Sequence, residues 1–405
     1  MLDWTTDARR VGRRWLRGGL PLSLLAAPGW TVLAAATFPP RAALAQEAAA
    51  GLDPWSEELA RFADTLSAQV AADDVGGITA AVVRDGEVLW VRGFGWADRG
   101  KSVPAAAGTL YRTGSISKSF TAALAVLQEE KGVLRLDDPV SRVLPEAGAF
   151  PDLPPGARPP TLRQLASHTA GLVREPGLEG AASGPIEGWE DKVLASIPVS
   201  PFETAPGSRY QYSNIGFGVL GLAVSRANGR PFMELVEDEI FRPLGMTSST
   251  FVVGGTLAGR LSTGYANGGE GPVDAETPAR EHAGRGYKVP NGGVYSTVGD
   301  LGRFMAAVAG RPGFDLFSPA AREALTSVHT PEDPKDGYGL GFFVRVREDG
   351  RRLVGHSGSV AGYTAYMVFE PESGLGVVLL RNYNQGRTNL GRSGDALLEA
   401  LLAKG

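Results

Sequence analysis

The chain has 405 residues, 43% hydrophobic and 21% charged, with 55 Gly, 28 Pro and no Cys. Gly and Pro make up about a fifth of it, short of the roughly 25–30% of low-complexity chains, so disorder, a collagen-like fibre and a polytopic membrane protein are excluded. Without Cys there is no disulfide scaffold, Cys-ligated zinc, iron–sulfur cluster or thiol nucleophile, and four His leave little for a multi-histidine metal centre.

The first 45 residues differ from the rest. A basic stretch, Arg9-Arg10-Val11-Gly12-Arg13-Arg14-Trp15-Leu16-Arg17, precedes an uncharged run over 18–40, and Ala43-Leu44-Ala45 supplies a small-x-small cleavage pattern. The run is long enough to cross a membrane, but Pro21, Pro28 and Gly29 interrupt it and the cleavage pattern follows at once. This predicts an export signal over 1–45, removed near Ala45, and a periplasmic or secreted mature chain without a membrane span. The paired arginines match twin-arginine export only loosely. With six Arg and two Asp in the signal, the mature chain carries 34 basic and 42 acidic residues, a net of −8, which argues against nucleic acid as a partner.

Apolar residues recur at helical spacing from Asp53 to Asp74 (Trp55, Leu59, Phe62, Leu66, Val70), predicting an amphipathic helix. Ile78–Val83 and Val88–Phe94 read as strands joined by the Asp85-Gly86 turn. After Ser115 a stripe of Phe120, Ala123, Leu124 and Leu127 predicts a helix ending near Gly132. Prolines from Pro151 to Pro160 mark one long loop and Gly177–Gly188 another. Between and beyond them lie helical segments at Leu162–His168, Ile215–Ala227 and Phe232–Phe241. Gly264–Gly286 reads as a polar, Gly-rich surface loop. Strands follow at Gly341–Arg347, Arg352–Gly355, Ala365–Phe369 and Gly376–Leu380, and a last helix at Leu390–Ala403. Strands near both ends and helices between them predict an antiparallel sheet flanked by terminal helices, with an inserted helical domain. The division expected is 46–112 with 290–405 for the sheet domain and 113–289 for the helical one.

Three patterns carry chemistry. Ser115 and Lys118, in Thr113-Gly114-Ser115-Ile116-Ser117-Lys118, are one turn apart at a helix start, where free N–H groups favour a developing anion. An ammonium there can help deprotonate the serine, or act as base once burial lowers its pKa. Ser-x-x-Lys occurs once, against about 0.4 matches expected by chance, so alone it decides nothing. Tyr-x-Asn occurs twice, as Tyr212-Ser213-Asn214 before an apolar helix and as Tyr265-Ala266-Asn267 in the Gly-rich loop. A phenol that moves protons must be held rigidly, which selects Tyr212 and Asn214; the bland alternative is a buried Tyr beside a helix-capping Asn. In Gly355-His356-Ser357-Gly358-Ser359, a donor before a small-Gly pair would meet substrate at a strand edge, with the Ser359 and Ser115 N–H groups as oxyanion donors. A nucleophile elbow at Ser357 is rejected: position 359 is Ser, strand signals follow, and no His comes later. His168 reads as a packing residue, His282 and His329 as surface residues, and Asp137-Asp138-Pro139 as a turn.

Taken in this order, the motifs resemble the serine beta-lactamase and penicillin-binding-protein superfamily, nearest its branch of class C beta-lactamases, D,D-peptidases, D-aminopeptidases and esterases. The resemblance runs from Trp55 to Leu402 and includes Leu165–Leu172, Pro206-Gly207 and Gly292-Gly293-Val294-Tyr295-Ser296-Thr297. It implies a beta-lactamase/transpeptidase-like fold, α/β plus all-α, with the site between the two parts. It also implies an acyl-enzyme on Ser115, proton transfer by Lys118 and Tyr212, substrate contacts from Asn214, His356, Ser357 and Gly358, and a small-molecule or peptidoglycan-like substrate. No metal or cofactor is implied. Where efficient beta-lactamases of this type carry Lys, this chain has His356, a mostly neutral imidazole that attracts a substrate carboxylate less. Esters and peptide-like amides are therefore expected ahead of beta-lactams. A true beta-lactamase and a non-catalytic wall-peptide or penicillin-binding protein are the alternatives.

Overall fold

Asp85 and Gly86 both adopt positive φ (52° and 82°), the conformation of the tight turn whose twist matches a hairpin. The computed structural model describes residues 53–267 and 273–405; the expected export signal lies outside them. The turn joins β1 (Gly77–Arg84) to β2 (Glu87–Asp98), which the short β3 (Val103–Pro104) extends. Five later strands complete the large sheet: β4 (Asp336–Tyr338), β5 (Phe343–Val346), β6 (Arg352–Val360), β7 (Tyr363–Glu370) and β8 (Leu375–Arg381). All neighbours are antiparallel, in the order β3-β2-β1-β8-β7-β6-β5-β4. The early hairpin thus closes on the last strand, through pairs such as Ala81 with Val378.

Both central strands are buried on each face, so they read as apolar runs. Outside, α1 (Ser56–Asp73) and α6 (Leu390–Leu402) cover them, packing Leu59, Leu66 and Val70 with Leu397, Leu398 and Leu401 over Ile78, Val82 and Leu379. Each such side chain contributes about 1.5–3 kcal/mol on burial. Trp55 Nε1 donates to the Leu401 carbonyl at 3.0 Å, tying the two helices.

The inner face meets α2 (Ser117–Glu130) and α5 (Val298–Ala309), and one core cluster continues from Ala81 and Leu380 through α2 into α3 (Asn214–Asn228). Twelve consecutive residues of α2, Ser117 to Gln128, are buried. A single apolar stripe understates a helix enclosed on all sides.

Several expectations shift. The strand expected to end at Gly355 runs on to Val360, so the His356 motif lies within a strand rather than after one. The expected Gly264–Gly286 loop contains a helix, α4 (Glu276–Ala283). Helices at Trp189–Ser196, α5 and Pro319–Thr326 were not foreseen, although Thr297 and Gly310 cap α5 in the usual way.

Candidate active site

The nucleophile segment is clamped before its helix begins. Tyr111 and Arg112 pair with Ser296 and Tyr295, the Thr113 N–H donates to the Val294 carbonyl at 3.0 Å, and the Val294 N–H donates to Ser117 Oγ at 3.1 Å. Gly114, at φ 54°, then turns the chain through a short 3₁₀ turn (Gly114–Ile116) into α2. Ser115 sits half-buried at that entry, and Lys118, one turn on, is fully buried. Lys118 Nζ lies 3.1 Å from Ser115 Oγ and 3.1 Å from the Asn291 carbonyl. Burial, then the Arg174 charge, hold its pKa well below the usual lysine value, which favours the neutral amine. The Tyr212 phenol lies beside Ser115, its ring centre is 4.9 Å from Lys118 Nζ, and burial raises its pKa, so it stays protonated.

A helix holds Tyr212, as the rigid-support argument requires. Ser213, rather than Asn214, caps α3: its Oγ accepts from the Gly216 N–H, and its own N–H donates to His168 Nδ1 at 3.0 Å. That bond leaves His168 neutral beneath the Tyr212 ring, at a centroid distance of 4.1 Å. Asn214 donates to Glu175, and its carbonyl accepts from Asn291 Nδ2 at 3.0 Å. Tyr265, of the other Tyr-x-Asn, is remote: it packs with Val75 and Tyr383 and accepts from the Arg99 N–H.

The last motif reaches this corner by its backbone. β5 pairs only with residues 352–355 of β6, leaving the following edge open toward Ser115. A Cβ at Gly358 would lie 1.9 Å from the Thr113 carbonyl oxygen, and one at Gly114 2.7 Å from the Ser359 nitrogen. Glycine at both positions is what lets the strand touch the nucleophile turn and brings the Ser115 and Ser359 nitrogens to one corner. The side chains go elsewhere. His356 is buried, accepting from the Tyr338 hydroxyl at Nε2 (2.8 Å) and donating from Nδ1 to the Ser357 carbonyl. Burial, then the Lys118 charge, depress its pKa to about 3. Ser357 points to the opposite face of the sheet, as strand alternation demands, into a cleft of about 850 Å³. The substrate contacts expected of the His356 and Ser357 side chains are therefore not brought to Ser115.

Beside Ser115 opens a cleft of about 530 Å³, walled by Asn214, Glu175, Ser359, Arg112 and Arg285 among others. Both loops flagged in the sequence border it, through Gly180–Ser183 and Glu281–Arg285. His282 is not a surface residue: its ring packs on Tyr363 and Tyr295, and burial takes its pKa to about 3.

A beta-lactamase family profile matches residues 62–402. The chain belongs to the beta-lactamase family. Among its relatives, the D-alanyl-D-alanine-carboxypeptidase/endopeptidase AmpH of Escherichia coli K12 is 30% identical over 315 residues, covering 74% of this chain and 78% of that protein. The esterase EstB of Burkholderia gladioli is 32% identical over 376 residues, covering 82% of this chain and 94% of its own. In structure, a penicillin-binding protein homologue from Pyrococcus abyssi superposes with a TM-score of 0.71 at 26% identity, over 86% of this chain and 78% of that one. The chain is thus a beta-lactamase-related serine hydrolase with the beta-lactamase/transpeptidase-like fold.

Within this family member, sequence reasoning missed Arg112, Glu175, Arg285 and Asn291. Asn291 had a usable signal, since it directly precedes the Gly292-Gly293 motif. Glu175 and Arg285 lie in irregular segments with no periodic pattern to mark them.

Proposed function

We propose that the mature chain is an exported hydrolase that cleaves esters or peptide-like amides through an acyl-enzyme on Ser115. The observation that carries this reading is the buried Lys118 amine, 3.1 Å from Ser115 Oγ, with the Tyr212 ring 4.9 Å from the same amine. The neutral amine takes the Ser115 proton, directly or through Tyr212, as Oγ adds to the substrate carbonyl. The Ser115 and Ser359 N–H groups hold the oxyanion, and Asn214 orients the substrate. The proton then passes to the leaving group, and water releases the acyl group by the reverse path. Gly358 serves by letting the strand approach. His356 braces Tyr338, whose ring packs 4.7 Å from His168 beneath Tyr212, and it touches no substrate.

The two named relatives, a D-peptidase and an esterase, support both leaving-group classes. A relative from Pseudomonas fluorescens named a beta-lactamase is 26% identical. A neutral His356 in place of an ammonium argues against efficient beta-lactam hydrolysis here. The test is fluorophosphonate or penicillin labelling read by intact mass, beside Ser115→Ala, with turnover of p-nitrophenyl esters, D-amino-acid amides and nitrocefin. Labelling and turnover should vanish in Ser115→Ala, with nitrocefin slowest in wild type. Equal turnover by both proteins overturns the mechanism, and nitrocefin hydrolysis at the rate of a resistance enzyme overturns the substrate order. N-terminal sequencing of exported protein tests cleavage near Ala45.

A further inference from the structure

Two arginines in the cleft wall have no acid among the described residues. Arg112 and Arg285 are 5% and 7% exposed and flank one ring, their guanidinium carbons 5.9 and 4.7 Å from the centre of Tyr295. Arg285 is held by the Phe251 and Gly293 carbonyls (2.6 and 2.8 Å) and the Tyr295 hydroxyl (2.8 Å). Arg112 makes one long bond, 3.4 Å to the Gly292 carbonyl. Each keeps a buried Nε without an acceptor, and among the described residues neither forms an ion pair. Glu281, exposed at the rim, is the acid whose charge reaches Arg112, without pairing. His282 beside them is neutral, and the Glu175 carboxylate pairs with Lys288 at 3.9 Å.

Buried charge without a counterion is costly, and a guanidinium fork matches a carboxylate. The pair also has a definite place along the strand. Tyr212, which returns a proton to the leaving group, packs on His168 and so toward Tyr338 and His356. Arg112 and Arg285 share their cleft wall with Val360 and Ala361 instead, several residues further along and past the oxyanion corner. The leaving group therefore lies toward His356 and the acyl group toward the arginines.

We propose that Arg112 and Arg285 form a subsite for a carboxylate on the acyl part of the substrate. This selects acyl donors with an acid several bonds from the reacting carbonyl. It rests on the acyl-enzyme reading and adds the substrate class to it.

The test uses matched esters: the p-nitrophenyl monoester of adipic acid against its neutral methyl ester, and 4-(hexanoyloxy)benzoate against its methyl ester, which moves the carboxylate to the leaving group. In wild type kcat/KM should favour the adipate acid over its neutral partner by about tenfold or more. That preference should shrink as salt rises from about 50 mM to about 500 mM. It should fall at least fivefold in Arg112→Met, with fluorophosphonate labelling of Ser115 reporting whether the variant is assembled. If Arg112→Met does not fold, the wild-type preference and its salt dependence decide. No adipate preference, a preference unmoved in a labelled Arg112→Met, or a stronger preference for the leaving-group carboxylate overturns the subsite. Ester turnover that persists in Ser115→Ala would instead overturn the acyl-enzyme reading beneath it.

Discussion

The two faces of the sheet treat charge in opposite ways. On the outer face, in the larger cleft of about 850 Å³, cations have partners. Arg345 reaches Asp395 at 3.3 Å and Asp336 at 3.8 Å, and Arg387 reaches Asp73 at 3.8 Å. On the inner face the cleft is smaller, about 530 Å³, yet among the described residues neither Arg112 and Arg285 in its wall nor Lys118, buried behind Ser115, pairs with a carboxylate. Cavity size alone would choose the outer cleft. Unpaired buried base beside a hydroxyl chooses the inner one, because it is the arrangement that stability alone does not favour.

The largest effect should come from Lys118. Replacing it with Met keeps bulk and burial but removes the base, so ester kcat should fall about 10²–10⁴-fold while the protein stays folded. On the proposed mechanism the neutral amine is the active form, and its pKa is depressed, so wild-type kcat/KM should rise with pH well below the usual lysine range, near 10. A Lys118→Met enzyme within threefold of wild type would erase the distinction between the faces.

Gly358→Ala comes next. Its Cβ would sit 1.9 Å from the Thr113 carbonyl oxygen and 3.1 Å from the Ser115 nitrogen, both backbone atoms that cannot swing aside. Overpacking of this kind costs about 1–3 kcal/mol, and a displaced oxyanion donor costs about 10²-fold in kcat. Steady-state kinetics beside thermal melts should show turnover lost well beyond what unfolding explains. An active, unshifted variant would mean the strand and the nucleophile turn are not in contact.

How far these features could be read in advance depended on whether chemistry lay in local spacing. The Asp85-Gly86 hairpin, α1, the stripe of α2 and Ser115 with Lys118 all repeat within a few residues, so the sequence displays them. His356 and Ser357 were assigned together because they are adjacent. A strand sends neighbours to opposite faces, and only recognising that β6 continues to Val360 separates them. Arg112 directly precedes the Thr113–Lys118 motif, yet nothing in the local sequence marks it as an unpaired charge. Its lack of an acid is a statement about Glu281, Tyr295 and Arg285, brought near from about 170–180 residues away.

Acidity gives a smaller test. His168 and His356 on the inner side of the sheet are buried and His282 at the arginine pair is partly buried; among the described residues none pairs with an acid, and burial depresses all three pKa values, to about 3 for His282 and His356. Unfolded imidazoles bind protons near pH 6.5 and the folded ones do not. The unfolded state therefore gains stability as pH falls below about 6.5, by up to about 1.4 kcal/mol per pH unit for each group. Their contribution is complete above that pH and is lost progressively toward pH 3. Urea unfolding at pH 7 and pH 5 should show a drop of up to about 6 kcal/mol, smaller by about 2 kcal/mol in His356→Gln. A flat profile would mean that these rings are charged or solvated in the native protein.

The smallest effect belongs to the outer face. Arg345 is nearly half exposed, so its pairs with Asp395 and Asp336 are screened by water and contribute about 0.2–1 kcal/mol together. Arg345→Ala should lower the unfolding free energy by no more than that and leave both ester turnover and the adipate preference where they were. The contrast with Arg112→Met is then direct, since both substitutions remove one guanidinium from the wall of a polar cleft. One removes a charge already answered by the protein, the other a charge left for a ligand. If Arg345→Ala lowered the adipate preference as much as Arg112→Met, that preference would report the net charge of the molecule, and the difference between the two faces would carry no recognition.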